Sequence, residues 1–238
     1  MIPKKIHYCW FGRNPKPKLA EKCIASWRKY CPDYEIIEWN EDNFDVNGNG
    51  YTRYCYDNQK WAFLSDYVRL AVVAEHGGLY FDTDVELLRK PDELLEYEAF
   101  YGFEINSRVN TGQGFGARAN HATILAMRAE YEKLHQDLNG DYPIVICTAL
   151  NTEALLPFGL KLDGSRQNVA GAEIFPVVWF NPYDDPTGRL NVTKNTVSVH
   201  WYSKSWMSKK AILRSKLTKP FHRIFGNDCF VWLKRLVR

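Results

Sequence analysis

An open α/β sheet with its ligand at the strand ends is the fold class that the sequence predicts. Two observations carry this. Strand-like and helix-like patterns alternate through the first hundred residues. Within that alternation, the stretch WAFLSDYVRLAVVAEHGGLYFDTDVE runs a helical pattern from Trp61 to His76. It stops at Gly77 and Gly78, and a short apolar strand, Leu79-Tyr80-Phe81, then delivers Asp82-Thr83-Asp84.

The elements follow in chain order. Residues 2–11, IPKKIHYCWF, begin as an alternating strand and end in an aromatic cluster before Gly12. Leu19, Cys23, Ile24, Trp27 and Tyr30 form a helical stripe over 18–30, which Cys31-Pro32-Asp33 ends. A strand is expected over 34–39 and a polar turn over NEDNFDVNGNG. After the 61–76 helix come a short helix behind Pro91 and strands at 99–104 and 112–117. A helix capped by Asn120 is expected to reach about Gln136, and another covers 144–156. Strands at 173–180 and 196–201 complete the body.

A length of 238 residues and an apolar content of 45% suit one large domain with a substantial core. No run of about 18 apolar residues is present, so no membrane-spanning helix is expected. The N-terminus lacks a signal-peptide apolar stretch, which points to the cytosol. Six cysteines without CxxC spacing read as reduced packing residues. The net charge of +3 is unevenly spread: from Lys204 onward there are ten Lys/Arg and one acid, Asp228. A basic tail on an acidic body is a signal about partners.

Several residues can carry chemistry. In an extended chain, Asp82 and Asp84 point the same way and repel unless a cation lies between them. Hard divalent metals accept such carboxylates, although two solvated acids at a strand end remain the plain alternative. Asp66 and Arg69 share a face of a helix that is apolar on most sides. A buried acid or guanidinium there is costly unless paired or ligand-bound, so either a structural ion pair or a sugar site is implied. Trp10 ends the first strand and can stack on a base or fill the core. The segment VHWYSKSW holds His200, Ser205 and Trp206, and a neutral imidazole suits Mn²⁺. VNTGQGFGA, with Asn110, suggests close approach of a ligand to backbone, and it is neither GxGxxG nor a Walker A loop.

Taken together, IPKKIHYCWFG, the WxxxxP helix end at Trp27–Pro32, FLSDYVRLAVVAEHGGLYFDTDVE and HWYSKSW resemble glycosyltransferase family 32. This is the DxD-containing group of capsule and polysaccharide loci and of fungal mannosyl-chain initiation, with distant similarity to clostridial glucosylating toxins. The resemblance covers roughly residues 1–206. It implies a GT-A (Rossmann-like) fold, a nucleotide-sugar donor (UDP-sugar favoured), Mn²⁺ or Mg²⁺, and retention of anomeric configuration. Trp10 would then stack on the base. Asp66 and Arg69 would hold the donor sugar, and Asp82 would contact ribose and sugar, reaching the metal directly or through water. Asp84 would bind the metal, with His200 or Ser205 completing its shell. Trp206 would face the leaving diphosphate, and Asn110 would lie near a saccharide acceptor. YPIVICTAL at 142–150 departs from the family's corresponding stretch, and no large acceptor-binding insertion is present.

The expected organisation is a catalytic domain at 1–206 and a basic amphipathic tail at 207–238, two short helices split near Gly226. Such a tail fits an anionic lipid surface, and so a peripheral enzyme on the inner face of a bacterial cell membrane acting on a lipid-linked acceptor in polysaccharide biosynthesis. Nucleic acid is the rival partner for a basic patch and is not expected here. Two other functional classes fit part of the pattern. A haloacid-dehalogenase-like phosphatase also has a strand ending in DxD, normally near its N-terminus. A sugar-binding module would need neither DxD nor metal.

Overall fold

Strand β1 (Lys5–Cys9) is the axis on which the molecule is built. Its side chains alternate between two cores, with Ile6 and Tyr8 in one and Cys9 in the other. The structure is a computed structural model that describes residues 1–204, 207–226 and 229. Helix α1 (Lys18–Tyr30) covers one face, and strand β2 (Glu35–Trp39) returns parallel to β1. Helices α2 (Gly50–Asp57) and α3 (Trp61–His76) cover the other face. Strand β3 (Gly78–Tyr80) then joins β1 on its far side, again parallel. The first two crossovers thus diverge from β1, which places a topological switch point at the carboxyl ends of β1 and β3, where open α/β sheets bind ligands.

Beyond β3 the sheet becomes mixed. After β4 (Val85–Leu87) come β5 (Ala99–Ile105), β6 (Arg108–Asn110) and β7 (Phe115–Ala117). Helices α4 (Ala122–Glu132) and α5 (Cys147–Leu155) follow, then β8 (Gln167–Val169) and β9 (Ala172–Phe175). The strand order is β2-β1-β3-β7-β5-β9-β8, with β6 beside β5. A two-residue pair, β10 (Tyr183–Asp184) and β11 (Arg189–Leu190), stands apart. Strand β12 (Ser198–His200) pairs antiparallel with β4 outside the main sheet. Helix α6 (Lys209–Phe225) comes last. None of the helices is long and apolar enough to cross a membrane, among the described residues.

The α/β class and the bounds of α1 and α3 match the sequence expectation. Several local readings change. Helix α4 starts at Ala122, because His121 rather than Asn120 is its cap, accepting from the Thr123 amide. Asn120 is left-handed, with φ 56°, and donates its amide to the Ala74 carbonyl. The strand expected over 173–180 stops at Phe175, since Pro176 has no amide to continue the ladder, and a 3₁₀ turn follows at Val177–Trp179. The strand expected over 112–117 begins only at Phe115, behind Gly114 at φ 121°. Helix α2 and strand β6 were not anticipated. The Asn49 side chain that caps α2, accepting from the Tyr51 amide, sits inside a run that reads as turn. Of the second tail helix expected after Gly226, only Cys229 lies among the described residues.

His7 locks β1 to the start of β3. It is fully buried; its Nε2 lies 2.8 Å from the Gly77 carbonyl and its Nδ1 accepts from the Trp39 indole at 3.0 Å. A Cβ at Gly78 would meet that ring at 2.8 Å, which accounts for the second glycine. Burial pushes the imidazole down to about 4, from a value of 6.5. Because the unfolded chain takes up a proton between those values and the folded chain does not, stability is expected to fall as pH drops from 6.5 towards 4, by about 3 kcal/mol from this group. Urea denaturation at pH 7 and pH 4.5 measures it. The difference should shrink by most of that amount in His7→Gln.

Candidate active site

Helix α3 is apolar on most sides, with Leu64, Val68, Leu70, Val72 and Val73 buried around it. Asp66 and Arg69 are buried with them, Arg69 to 2% exposure. They are more than a private pair. Arg69 Nη1 lies 2.9 Å from Asp66 Oδ1, while Nη2 donates to both Asp82 oxygens at 2.9 and 3.0 Å. One planar fork thus bridges a carboxylate of its own helix to the first acid of the Asp82-Thr83-Asp84 turn. The Tyr80 hydroxyl donates to Asp82 Oδ1 at 3.0 Å, and the Arg69 guanidinium lies 5.2 Å from the Tyr80 ring centre. Arg69 Nε is buried without a partner.

The two acids do not follow the alternation of an extended strand. Strand β3 ends at Tyr80, and a turn closes as the Val85 amide donates to the Asp82 carbonyl at 2.9 Å. Asp82 faces Arg69. Asp84 instead faces the end of β12: Oδ2 accepts from the Ser203 amide at 2.7 Å and Oδ1 lies 3.4 Å from His200 Nε2. The β4–β12 register sets Val85 opposite His200, which brings that imidazole to Asp84.

These environments drive the two carboxylates apart. Burial pushes Asp82 up, Arg69 pulls it back, and Asp84 and Asp66 add to the rise, leaving it at about 6. Burial also acts against the Asp84 charge, but His200 and the Ser203 amide outweigh it and hold Asp84 well below the usual carboxylate range. For His200, burial disfavours the cation, yet Asp84 beside it raises the pKa above the ordinary imidazole value. Asp66 is raised by burial, with Arg69 opposing.

The glycine-rich loop closes on this cluster. The Asp82 amide donates to the Gly112 carbonyl at 3.2 Å, and a Cβ at Gly112 would collide with Asp82 Oδ2. Asn110 Oδ1 accepts from the Gly112 amide at 2.6 Å, and Asn110 Nδ2 donates to Glu104 Oε1 at 3.2 Å. Glu104 is the residue that the sequence reading missed. The same oxygen accepts from the Tyr202 hydroxyl at 3.2 Å, and the Tyr202 ring lies 4.1 Å from that of His200. Glu104 therefore ties the Asp82 side of the site to the Asp84 side. The available signal was a lone acid ending the apolar run AFYGFE.

Trp10 lies half-buried beyond the end of β1, its indole donating to the Asn14 carbonyl at 2.7 Å and Lys16 Nζ 5.6 Å from its ring centre. With Arg13, Asn14, Lys16 and Glu38 it lines a cavity of about 240 Å³, separate from the carboxylate cluster. Ser205 and Trp206 lie outside the described residues.

No group of three or more His, Cys, Asp or Glu side chains is arranged as a ligand set, among the described residues. The Asp84–His200 pair, with His200 Nδ1 buried and unpartnered, fits a cation that draws its remaining ligands from phosphate oxygens and water. Asp82, held by Arg69 through both oxygens, is the less available ligand.

Residues 17–101 match the family model described as glycosyltransferase sugar-binding region containing DXD motif. Two curated proteins are similar. Inositol phosphoceramide mannosyltransferase 3 of Schizosaccharomyces pombe is 31% identical, over 42% of this chain and 29% of that protein. Subversion of eukaryotic traffic protein A of Legionella pneumophila is 26% identical, over 39% of this chain and 19% of that protein. The chain thus spans less than a third of the length of either relative. Among solved structures, PaToxG glycosyltransferase overlaps with a TM-score of 0.47 at 18% identity, covering 66% of this chain and 69% of that one.

Proposed function

We propose that this chain, whose residues 17–101 match the model of a glycosyltransferase sugar-binding region containing the DXD motif, is a metal-dependent hexosyltransferase of GT-A architecture. In this reading it moves a hexose from a nucleotide sugar, UDP-sugar favoured, to a saccharide acceptor with retention. The observation that carries the reading is the Arg69 fork joining buried Asp66 to Asp82, two residues before the Asp84 of the Asp84–His200 pair.

The division of labour follows from the geometry. Arg69 fixes two carboxylates in place before any ligand arrives, so the site needs little reorganisation on binding. Asp82, the more exposed of the two, accepts donor hydroxyls, and Asp66 shapes the wall behind it. Asp84 and His200 would hold Mn²⁺ or Mg²⁺, with Asp82 reached directly or through water; the cation would offset charge on the departing diphosphate. Trp10 would stack on the base, Ser205 would compete with His200 for the cation, and Trp206 would face the diphosphate. Asn110, aligned by Glu104 and Gly112, would lie on the acceptor side. The acceptor hydroxyl would attack from the face the leaving group departs. A lipid-linked acceptor in capsule, O-antigen or exopolysaccharide assembly suits the basic tail.

The test is Mn²⁺-dependent release of nucleoside diphosphate across UDP- and GDP-sugars, with and without EDTA and with methyl glycosides as acceptors. The fungal relative's name adds mannose to the donor panel. Turnover of one donor, lost with EDTA, is the expected result; a blank panel would remove the transferase reading, and aryl-phosphate hydrolysis would replace it with a phosphatase.

A further inference from the structure

Helix α6 is amphipathic in the reverse sense from an ordinary surface helix. Its docked side is polar. Ser215 Oγ accepts from Lys204 Nζ at 2.6 Å, Lys219 Nζ donates to the Tyr183 hydroxyl at 2.7 Å and pairs with Asp185 at 3.0 Å, and the Arg223 carbonyl accepts from Arg189 at 2.8 Å. Its outward side is apolar. Leu213, Leu217 and Ile224 are 59%, 64% and 74% exposed. At about 100° per residue they fall within an arc of about 40°, a continuous stripe rather than scattered side chains. Exposed Lys210 and Arg214 flank the stripe on one side and Lys216 and Arg223 on the other. The helix sequence, KKAILRSKLTKPFHRIF, contains no acid. Asp185, on the docked side, is bonded to Lys204 and Lys219.

We propose that the outward face of α6 docks on an anionic lipid surface. An apolar stripe between two rows of cations matches an interface whose acyl region takes leucine and isoleucine while its phosphates meet Lys and Arg. The polar side is already satisfied by the body, so the helix lies flat with the domain behind it. Lys204, two residues past Tyr202, contacts α6 through Ser215, so the surface and the segment that completes the candidate active site are joined by a direct side-chain contact. The face goes beyond the transferase reading and holds whether or not that reading does; if both hold, the enzyme works at the inner face of a membrane where a lipid-linked acceptor is presented.

The test is flotation of the full chain with phosphatidylcholine vesicles, with and without about a third phosphatidylglycerol. The expected result is binding to the anionic vesicles alone, weakened by added salt. It should drop about tenfold or more in the pair Leu213→Ser/Leu217→Ser and several-fold in Arg214→Gln/Lys216→Gln, with Tm unchanged. Four outcomes overturn the proposal: equal binding to both vesicle types or to neither; binding untouched by the leucine pair; a concentration-dependent dimer in vesicle-free sedimentation that the leucine pair abolishes, which makes a second copy the occupant; or a lowered Tm in that pair, which makes the chain's own residues the cover.

Discussion

Replacing Arg69 with methionine is expected to cost the folded state about 3–5 kcal/mol. Methionine fills the volume but leaves Asp66 buried and Asp82 enclosed with no cation between them. Both are already pushed up by burial with only Arg69 pulling down strongly, so both would rise further and take up protons. Arg69→Lys is expected to recover little, because one ammonium cannot hold two carboxylates along the two arms of a planar fork. Urea denaturation at pH 7 measures the loss, and the double variant Arg69→Met/Asp66→Asn should restore part of it, since the two residues share one interaction. A loss below about 1 kcal/mol would show that the triad is solvated rather than enclosed.

Replacing Asp84 with asparagine is expected to leave a folded protein that has lost metal-dependent turnover by about a thousandfold. Asparagine still offers an oxygen to the Ser203 amide, so the turn and its link to β12 survive. What disappears is the charge, which at neutral pH is fully developed because His200 and Ser203 hold Asp84 far below its ordinary range. His200 loses the strongest of the carboxylates that raise it, so burial pulls its pKa down. A stability loss of about 1–2 kcal/mol is expected beside the large kinetic loss. Kinetics across a Mn²⁺ titration, with Mn²⁺ binding by calorimetry, separates the two. Normal activity in Asp84→Asn would rule out Asp84 as the metal ligand.

How far the sequence discloses this arrangement depends on how local each feature is. Helices α1 and α3 were legible because an apolar stripe, a terminating Pro32 and a glycine pair act within one segment. Asp66 and Arg69 stood out because charge inside an apolar helix demands a partner, and the partner beyond the helix proved to be Asp82. The direction of Asp84 was not legible. The strand over 196–201 was, but its antiparallel pairing with β4, which sets Val85 opposite His200 and turns Asp84 toward that imidazole, is a long-range choice that local pattern does not encode. Glu104 was missed for the same cause: its importance rests on Asn110 and Tyr202, and Tyr202 lies 98 residues away. Helix α2 was hidden because NGNG has strong turn chemistry, and the second asparagine uses that chemistry as a helix cap.

The β4–β12 pairing also sets an order in time. The Asp84 carboxylate is translated 119 residues before the Ser203 amide that fixes it. At about 5–20 residues per second, on the order of ten seconds of synthesis separates the two. During that interval β1, β2 and β3 are free to assemble with α1 and α3, and Arg69 can already clasp Asp66 and Asp82. The residues of the Asp66–Arg69–Asp82 half of the candidate site are therefore all present in the chain early. The Asp84 half is complete only once β12 has been made and can pair with β4, so a growing chain carries Asp84 long before the Ser203 amide and His200 imidazole that flank it in the folded protein.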